Sequence, residues 1–472
     1  MSYIINVIII SINFLMENEI LNISYQNKLE DSNKDFELSH IIGLNSKIMY
    51  PVQCHPKMND TIMYSVGGKV IAEDLSDKNN QVFFRHGNRE ISCFKISNTG
   101  NFLAVGFSRG ENNFDKKLPV SIILWDYRSK NIIYELTGLF KSIKLIDFSN
   151  DDKFISALSQ EYSLYIWDVE TGFLCYSKLN EFKIDLIYWT DILPGIHSSG
   201  RPEYTITISS ANGLSYLHLY FELKSMQYNS KENKFILPSS GLVRIFTSAL
   251  YDPNINSLYL GTSGGEICVF SMDNLIFKMS FNAVNNGVVS IVFSFSENCL
   301  FVAGGDGRIK KLFRESINTN NIKHSVVQEI QFNSKISSLC LAPDSKETIC
   351  TLINGYIYRV LTSDLSYTLH SVSHTNNVND VCFIRKTRTN SQKNSSNIAG
   401  LSNINEKCFT IDDLGNLFLW DLNEFNVKGK FKNDAAGKSL AWGDDGKPIK
   451  YYFIFRYPVC RIFKWKSKKF NT

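Results

Sequence analysis

The stretch Ser121-Ile-Ile-Leu-Trp125-Asp126 decides how this chain is read. A short run of strand-forming residues closes on an indole and then an acid. The same ending returns in Ser163-Leu-Tyr-Ile-Trp167-Asp168 and in Asn416-Leu-Phe-Leu-Trp420-Asp421. Trp125 and Trp167 are 42 residues apart, and a period of about 40–45 residues marks a four-stranded antiparallel unit repeated around an axis. His86-Gly87 lies 39 residues before Trp125, where that repeat carries a Gly-His pair, here in reversed order.

This is the spacing of WD repeats, and degenerate copies fill the gap between Trp167 and Trp420. Gly264-Gly-Glu-Ile-Cys-Val-Phe270, Asp306-Gly-Arg-Ile-Lys-Lys-Leu312 and Asn354-Gly-Tyr-Ile-Tyr-Arg-Val360 each open on a turn and place an apolar residue in the tryptophan slot. Asn212-Gly-Leu-Ser-Tyr-Leu-His218 is a weaker fourth copy. Gly67-Gly68-Lys-Val-Ile gives a first blade starting near Ile41. The slots at 125, 167, 218, 270, 312, 360 and 420 are 42, 51, 52, 42, 48 and 60 residues apart. Seven blades then end near residue 370, and an eighth begins at His374. The expected fold is all-β: a seven-bladed WD40 β-propeller over 40–370 and the start of an incomplete second propeller over 371–446. An irregular extension (1–39) precedes them, and an unstructured basic tail (447–472) follows. Helical periodicity is nearly absent, which argues against long helices, coiled coils and dinucleotide-binding units. Residues 107–118 and the Ser/Asn/Lys-rich 384–405 are expected to be loop insertions.

Composition narrows the function. With 44% apolar and 20% charged residues the chain supports a sizeable core. Phe and Tyr supply 33 and 22 residues, a weighting that favours strands. The net charge is +4, yet every charge after Asp445 is basic, eight Lys and Arg in all, so the body of the chain is net acidic. A nucleic-acid binder carries its positive charge on the folded body, so DNA and RNA are not the expected partners. The ten cysteines form no C-x-x-C pair and sit in apolar runs, which reads as reduced thiols in a cytosolic protein. The N-terminal run has no basic n-region, is broken by Asn6, Ser11 and Asn13, and is too short to span a bilayer. No membrane partner is expected, and Met16 is an alternative start.

Several short motifs resemble catalytic or phosphate-binding signatures by their letters. Gly261-Thr-Ser263-Gly-Gly265 matches G-x-S-x-G by letters, but that motif needs a strand-to-helix turn and here strand follows strand. Gly67-Gly68-Lys69 and Gly304-Gly-Asp-Gly307 lack phosphate-loop spacing and read as turns. The eight histidines show no metal-ligand spacing. Hence no catalytic residue, no cofactor and no metal are expected. His86, Trp125, Asp126, Trp167, Asp168, Trp420 and Asp421 are read as structural residues of the repeat, with His86 bonding between strands in support of its own blade's tryptophan. Glu161 and Asp306 are the acidic turn residues expected to join such a chain. The cluster Arg385, Lys386, Arg388, Lys393 reads as a solvated loop, with contact to an acidic protein surface as the functional alternative.

A sharper resemblance lies in Ile41-Ile-Gly-Leu-Asn45 with Cys54-His-Pro56, in Arg85-His-Gly-Asn-Arg-Glu-Ile-Ser-Cys93 and in Ile122-Ile-Leu-Trp-Asp-Tyr127. It continues in Tyr356-Ile-Tyr-Arg-Val360 and Ser373-His-Thr-Asn-Asn-Val-Asn-Asp-Val-Cys-Phe383. In order and spacing these resemble the cilia- and flagella-associated protein 52 family, WD-repeat proteins of ciliary axonemes. The resemblance implies two tandem propellers and a non-enzymatic protein of the cytoplasmic cytoskeleton. It would be placed in the lumen of axonemal doublet microtubules, bound to tubulin and other axonemal proteins and stabilising them. The chain departs from the pattern after Gly446, where the repeat disappears. The rival expectation is a cytosolic WD40 adaptor that takes a short peptide at the channel mouth; fold alone does not separate the two.

Overall fold

The structure, a computed structural model, describes residues 40–441 apart from 88, 109–119, 140, 194–199, 238–243, 316–322, 384–406 and 433–438, together with 450–453 and 461–463. The extension 1–39, most of the 107–118 insertion, and the whole 384–405 insertion with its basic cluster lie outside the described residues.

Among the described residues every regular element is a strand. They form eight four-stranded antiparallel sheets and one three-stranded sheet, numbered here 1 to 9 along the chain. Sheets 1 to 7 begin with the strands Val52–Cys54, Ile91–Ile96, Ile143–Phe148, Ile184–Leu193, Phe246–Asp252, Val288–Ser294 and Ile336–Leu341; sheet 8 begins with Val378–Phe383. In each of the eight, strand order follows sequence order, so each sheet is a meander joined by hairpins.

Burial follows the sequence pattern. Second and third strands such as Phe102–Phe107 and Ser163–Asp168 are largely apolar and covered on both faces. The fourth strands alternate, as in Asn426–Lys432, because one face meets solvent. Core clusters lie between sheets rather than within them: Trp125 packs with residues of sheet 1 such as Met63 and Phe84, and Trp167 with Val120 and Leu124 of sheet 2.

The chain divides into two compact units, one of residues 45–76 and 82–370, the other of residues 1–44, 77–81 and 371–472. In the first, the leading strands of sheets 2 to 7 lie side by side in order. Sheet 1 joins sheet 2 through Gln53, whose Nε2 donates to Phe94 O at 2.7 Å while its Oε1 accepts from Ile96 N at 3.1 Å. Val52–Cys54 also lies beside Ile336–Leu341 of sheet 7. At that same junction Arg359 donates to Leu75 O at 3.3 Å, His370 Nε2 lies 2.7 Å from Glu73 Oε1, and Tyr64 OH donates to Glu73 Oε2.

In the second unit, Gln81 holds the backbone of Ile41 through both ends of its amide, at 2.9 and 3.1 Å, and His40 stacks on Phe425 of sheet 8 with centroids 3.8 Å apart. Two pieces of the tail expected to be unstructured are strands of sheet 9: Lys450–Phe453 pairs with Ser439–Ala441 on one side and with Arg461–Phe463 on the other. Their aromatic and β-branched residues suit a pleated surface, and the basic count that suggested a tail says nothing about that.

Candidate functional site

Two features qualify as sites: the buried polar chain that locks a repeat, and the cavity ringed by the leading strands.

The slot residues share one geometry. Trp125 pairs with Ile132, Trp167 with Leu174, Phe270 with Phe277 and Trp420 with Val427, and the register slips at each of these slots. Such a bulge sharpens the local twist of the outer strand. Five residues beyond each slot the backbone turns left-handed, at Lys130, Gly172, Leu275, Leu365 and Phe425. The acid that follows each tryptophan serves this turn. Asp126 accepts from Ser129 N at 2.7 Å, Asp168 from Thr171 N at 2.8 Å and Asp421 from Asn423 N at 3.1 Å. The Ser129 N–H holds the Asp126 carboxyl below its usual pKa range.

In sheet 4 the slot is Phe221, which pairs with Tyr228 and precedes left-handed Met226 by five residues. The expected slot, His218, instead faces Glu203, with Nε2 and Oε2 2.6 Å apart. The expectation slipped by three because Ser210 pairs with Gly213 across a two-residue turn, whereas in sheet 8 five residues separate Ile411 from Leu417.

The complete polar chain occurs in sheet 8. His374 Nδ1 lies 3.0 Å from Asp412 Oδ2, His374 Nε2 lies 2.7 Å from Thr410 Oγ1, and Trp420 Nε1 donates to Thr410 Oγ1 at 2.7 Å. With Nδ1–H donating to the Asp412 carboxylate, Nε2 accepts from the threonine hydroxyl and the threonine oxygen accepts from the indole N–H, so each group is satisfied. Thr410 and Asp412 have no solvent exposure. Burial opposes ionisation of Asp412, but bonds from His374 and Asn416 outweigh it and hold the carboxyl below its usual range.

His86 occupies the corresponding loop of sheet 2, yet register puts Val105 where sheet 8 has Thr410 and Phe107 where it has Asp412. Val105 offers no hydroxyl to link His86 to Trp125, and the imidazole lies 6.2 Å from the Phe107 ring. Sheet 3 has Ala157 in the hydroxyl position. Trp125 and Trp167 are therefore held by apolar packing. Glu161, at the surface, pairs with Lys141 at 3.0 Å, and Asp306 caps its turn by accepting from Arg308 N and Asn285 N at 3.1 and 3.0 Å.

The cavity has a volume of 420 Å³ and is lined by all seven leading strands of sheets 1 to 7. Its charged residues pair with each other, Lys95 with Asp147 at 3.0 Å. Tyr188 is pushed up to about 12, chiefly by burial. Ser290 Oγ donates to Leu339 O at 2.8 Å, and no histidine is among the lining residues that could activate a hydroxyl. Ser263 lies in a strand-to-strand turn, between Ser257–Thr262 and Glu266–Ser271. Among the described residues no group of three or more His, Cys, Asp or Glu is placed to hold a metal.

No family model matches the chain. Curated relatives do. The chain is 24% identical over 358 residues to cilia- and flagella-associated protein 52 of Chlamydomonas reinhardtii, covering 73% of this chain and 53% of that protein. To the human protein of the same name it is 25% identical over 362 residues, 74% of this chain and 53% of the relative. The resemblance drawn from the motifs is thus borne out, and the chain spans about half the length of these relatives. Pre-mRNA-processing factor 17 of Saccharomyces cerevisiae is 24% identical over 270 residues, 50% of this chain and 59% of that one. Among solved structures, a Swd1 β-propeller domain of Myceliophteria thermophila is 13% identical, covering 61% of this chain and 88% of that one, with a TM-score of 0.46.

Proposed function

We propose that this chain is a non-enzymatic WD-repeat structural protein of cilia and flagella. On this reading sheets 1 to 7 form a closed seven-bladed propeller, sheets 8 and 9 open a second, and the protein binds doublet microtubules from the lumen and stabilises the axoneme. The observation that carries it is the similarity to cilia- and flagella-associated protein 52 along about three quarters of the chain. Ring closure is supported by Val52–Cys54 lying beside the leading strand of sheet 7. A closed ring removes the long exposed sheet edge and yields a rigid disk with several faces for neighbouring proteins. The lack of any convergent acid, base and nucleophile among the cavity residues supports a role without chemistry.

The test is location. A tagged copy expressed in a flagellated stage marks the axoneme if the reading holds. The adaptor reading, which the similarity to a pre-mRNA-processing factor favours, instead gives a diffuse or nuclear signal in cells that carry flagella.

A further inference from the structure

Cys54 ends the leading strand of sheet 1 and Cys340 lies in the leading strand of sheet 7, 286 residues apart in sequence. Their Sγ atoms are 3.0 Å apart. Both residues are half-buried and both line the 420 Å³ cavity, so small solutes reach them. Cys93, Cys268, Cys299, Cys350 and Cys408 are buried, as expected of inert core thiols. The pair stands at the junction where the first sheet meets the last of its unit, and among the described residues no other sulfur–sulfur contact joins such distant stretches.

We propose that Cys54 and Cys340 are a redox modification site, oxidised by hydrogen peroxide to a disulfide that clasps sheet 1 to sheet 7. The peroxide O–O bond breaks as one thiol sulfur takes the oxygen, giving a sulfenic acid and one water. The second thiol then attacks that sulfur; the S–S bond forms, the S–O bond breaks and a second water leaves. Two thiols lose two electrons and two protons, and one peroxide is reduced to two waters. An S–S bond of about 2.05 Å requires the sulfurs to approach by about 1 Å, within reach of side-chain rotation. The contact with Cys340, and burial after it, raise the Cys54 thiol well above its ordinary range, so little thiolate is present and the oxidation is slow. The link constrains the unfolded chain through a very long loop, the arrangement in which a cross-link gains most in the chain-entropy account.

The full chain is treated with hydrogen peroxide, alkylated without reduction and digested with trypsin. The expected product joins residues 48–57 to residues 336–346, each with a single cysteine, and is two hydrogens lighter than the two peptides together. The thermal midpoint rises on peroxide treatment and falls back with dithiothreitol. C54S and C340S abolish both effects, while C175S, at a half-buried thiol of sheet 3, keeps them. Sulfinic acid at Cys54 or Cys340 without the linked peptide, or a midpoint shift that survives C54S, overturns the proposal. Neither result bears on where the protein resides in the cell.

Discussion

The indole N–H of Trp420 donates to the hydroxyl of Thr410 at 2.7 Å, and that hydroxyl is the hydrogen-bonded bridge from the tryptophan to His374 and Asp412. Removing it while keeping the shape isolates its worth. Thr410→Val leaves a buried N–H and an imidazole nitrogen without partners, and should cost about 1–3 kcal/mol in the unit that contains sheet 8. Denaturant unfolding followed by tryptophan fluorescence measures this. Val105→Thr, at the same register position of sheet 2, should stabilise little, because Phe107 cannot complete the chain.

Trp125→Ala and Trp167→Ala should each cost about 3–5 kcal/mol, since both indoles are buried among apolar side chains from two sheets. His86→Ala should cost far less than either. A loss for His86→Ala equal to that for Trp125→Ala would restore the polar link that Val105 excludes.

Gly265 has φ +95, and a Cβ built there would lie 1.9 Å from Val284 O. Gly265→Ala should therefore lower the melting temperature sharply, whereas Ser263→Ala in the same turn should leave it unchanged. Should the protein prove to hydrolyse an ester, and Ser263→Ala abolish that, the structural assignment of the turn is wrong.

His324 is pushed down to about 4 by burial first and by Arg314 second, with Glu315 opposing. Neither ring nitrogen has a hydrogen-bond partner among the described residues. The unfolded chain takes up a proton near pH 6.5 that the folded chain refuses until about pH 4. Stability is thus full above pH 6.5 and falls as pH drops from 6.5 to 4, by up to about 3 kcal/mol. His324→Phe should flatten that part of the stability–pH curve, as read by denaturant midpoints at a series of pH values.

How far the sequence could be read depended on local spacing. Slots at 125, 167, 270, 312, 360 and 420 were legible because a turn, a short strand and an apolar residue recur at fixed offsets; each proves buried. Phe221 was missed because a two-residue hairpin replaces the usual turn and lengthens the strand, so counting from Gly213 stops at His218. The chain His374–Asp412–Thr410–Trp420 was missed for a different reason. Its histidine and its acid are 38 residues apart, most of them residues of the 384–405 insertion, and only register brings them together. His86 was over-read because its loop position is visible in the sequence, while the partners it needs are set across the hairpin. The near meeting of Cys54 and Cys340 depends on how the leading strands lie side by side and leaves no trace in spacing.

The central claim is that the protein is enclosed with the doublets as a structural part of the axoneme. Its most direct test is the fraction of tagged protein retained in isolated, demembranated axonemes as salt is raised. A basic protein held on the outer surface by charge washes off steeply, because its attraction is screened within about 8 Å at physiological ionic strength and within about 3 Å at 1 M. The account predicts retention through high salt and release only when the doublets themselves are dissolved. Complete release at moderate salt, with the doublets intact, would contradict it.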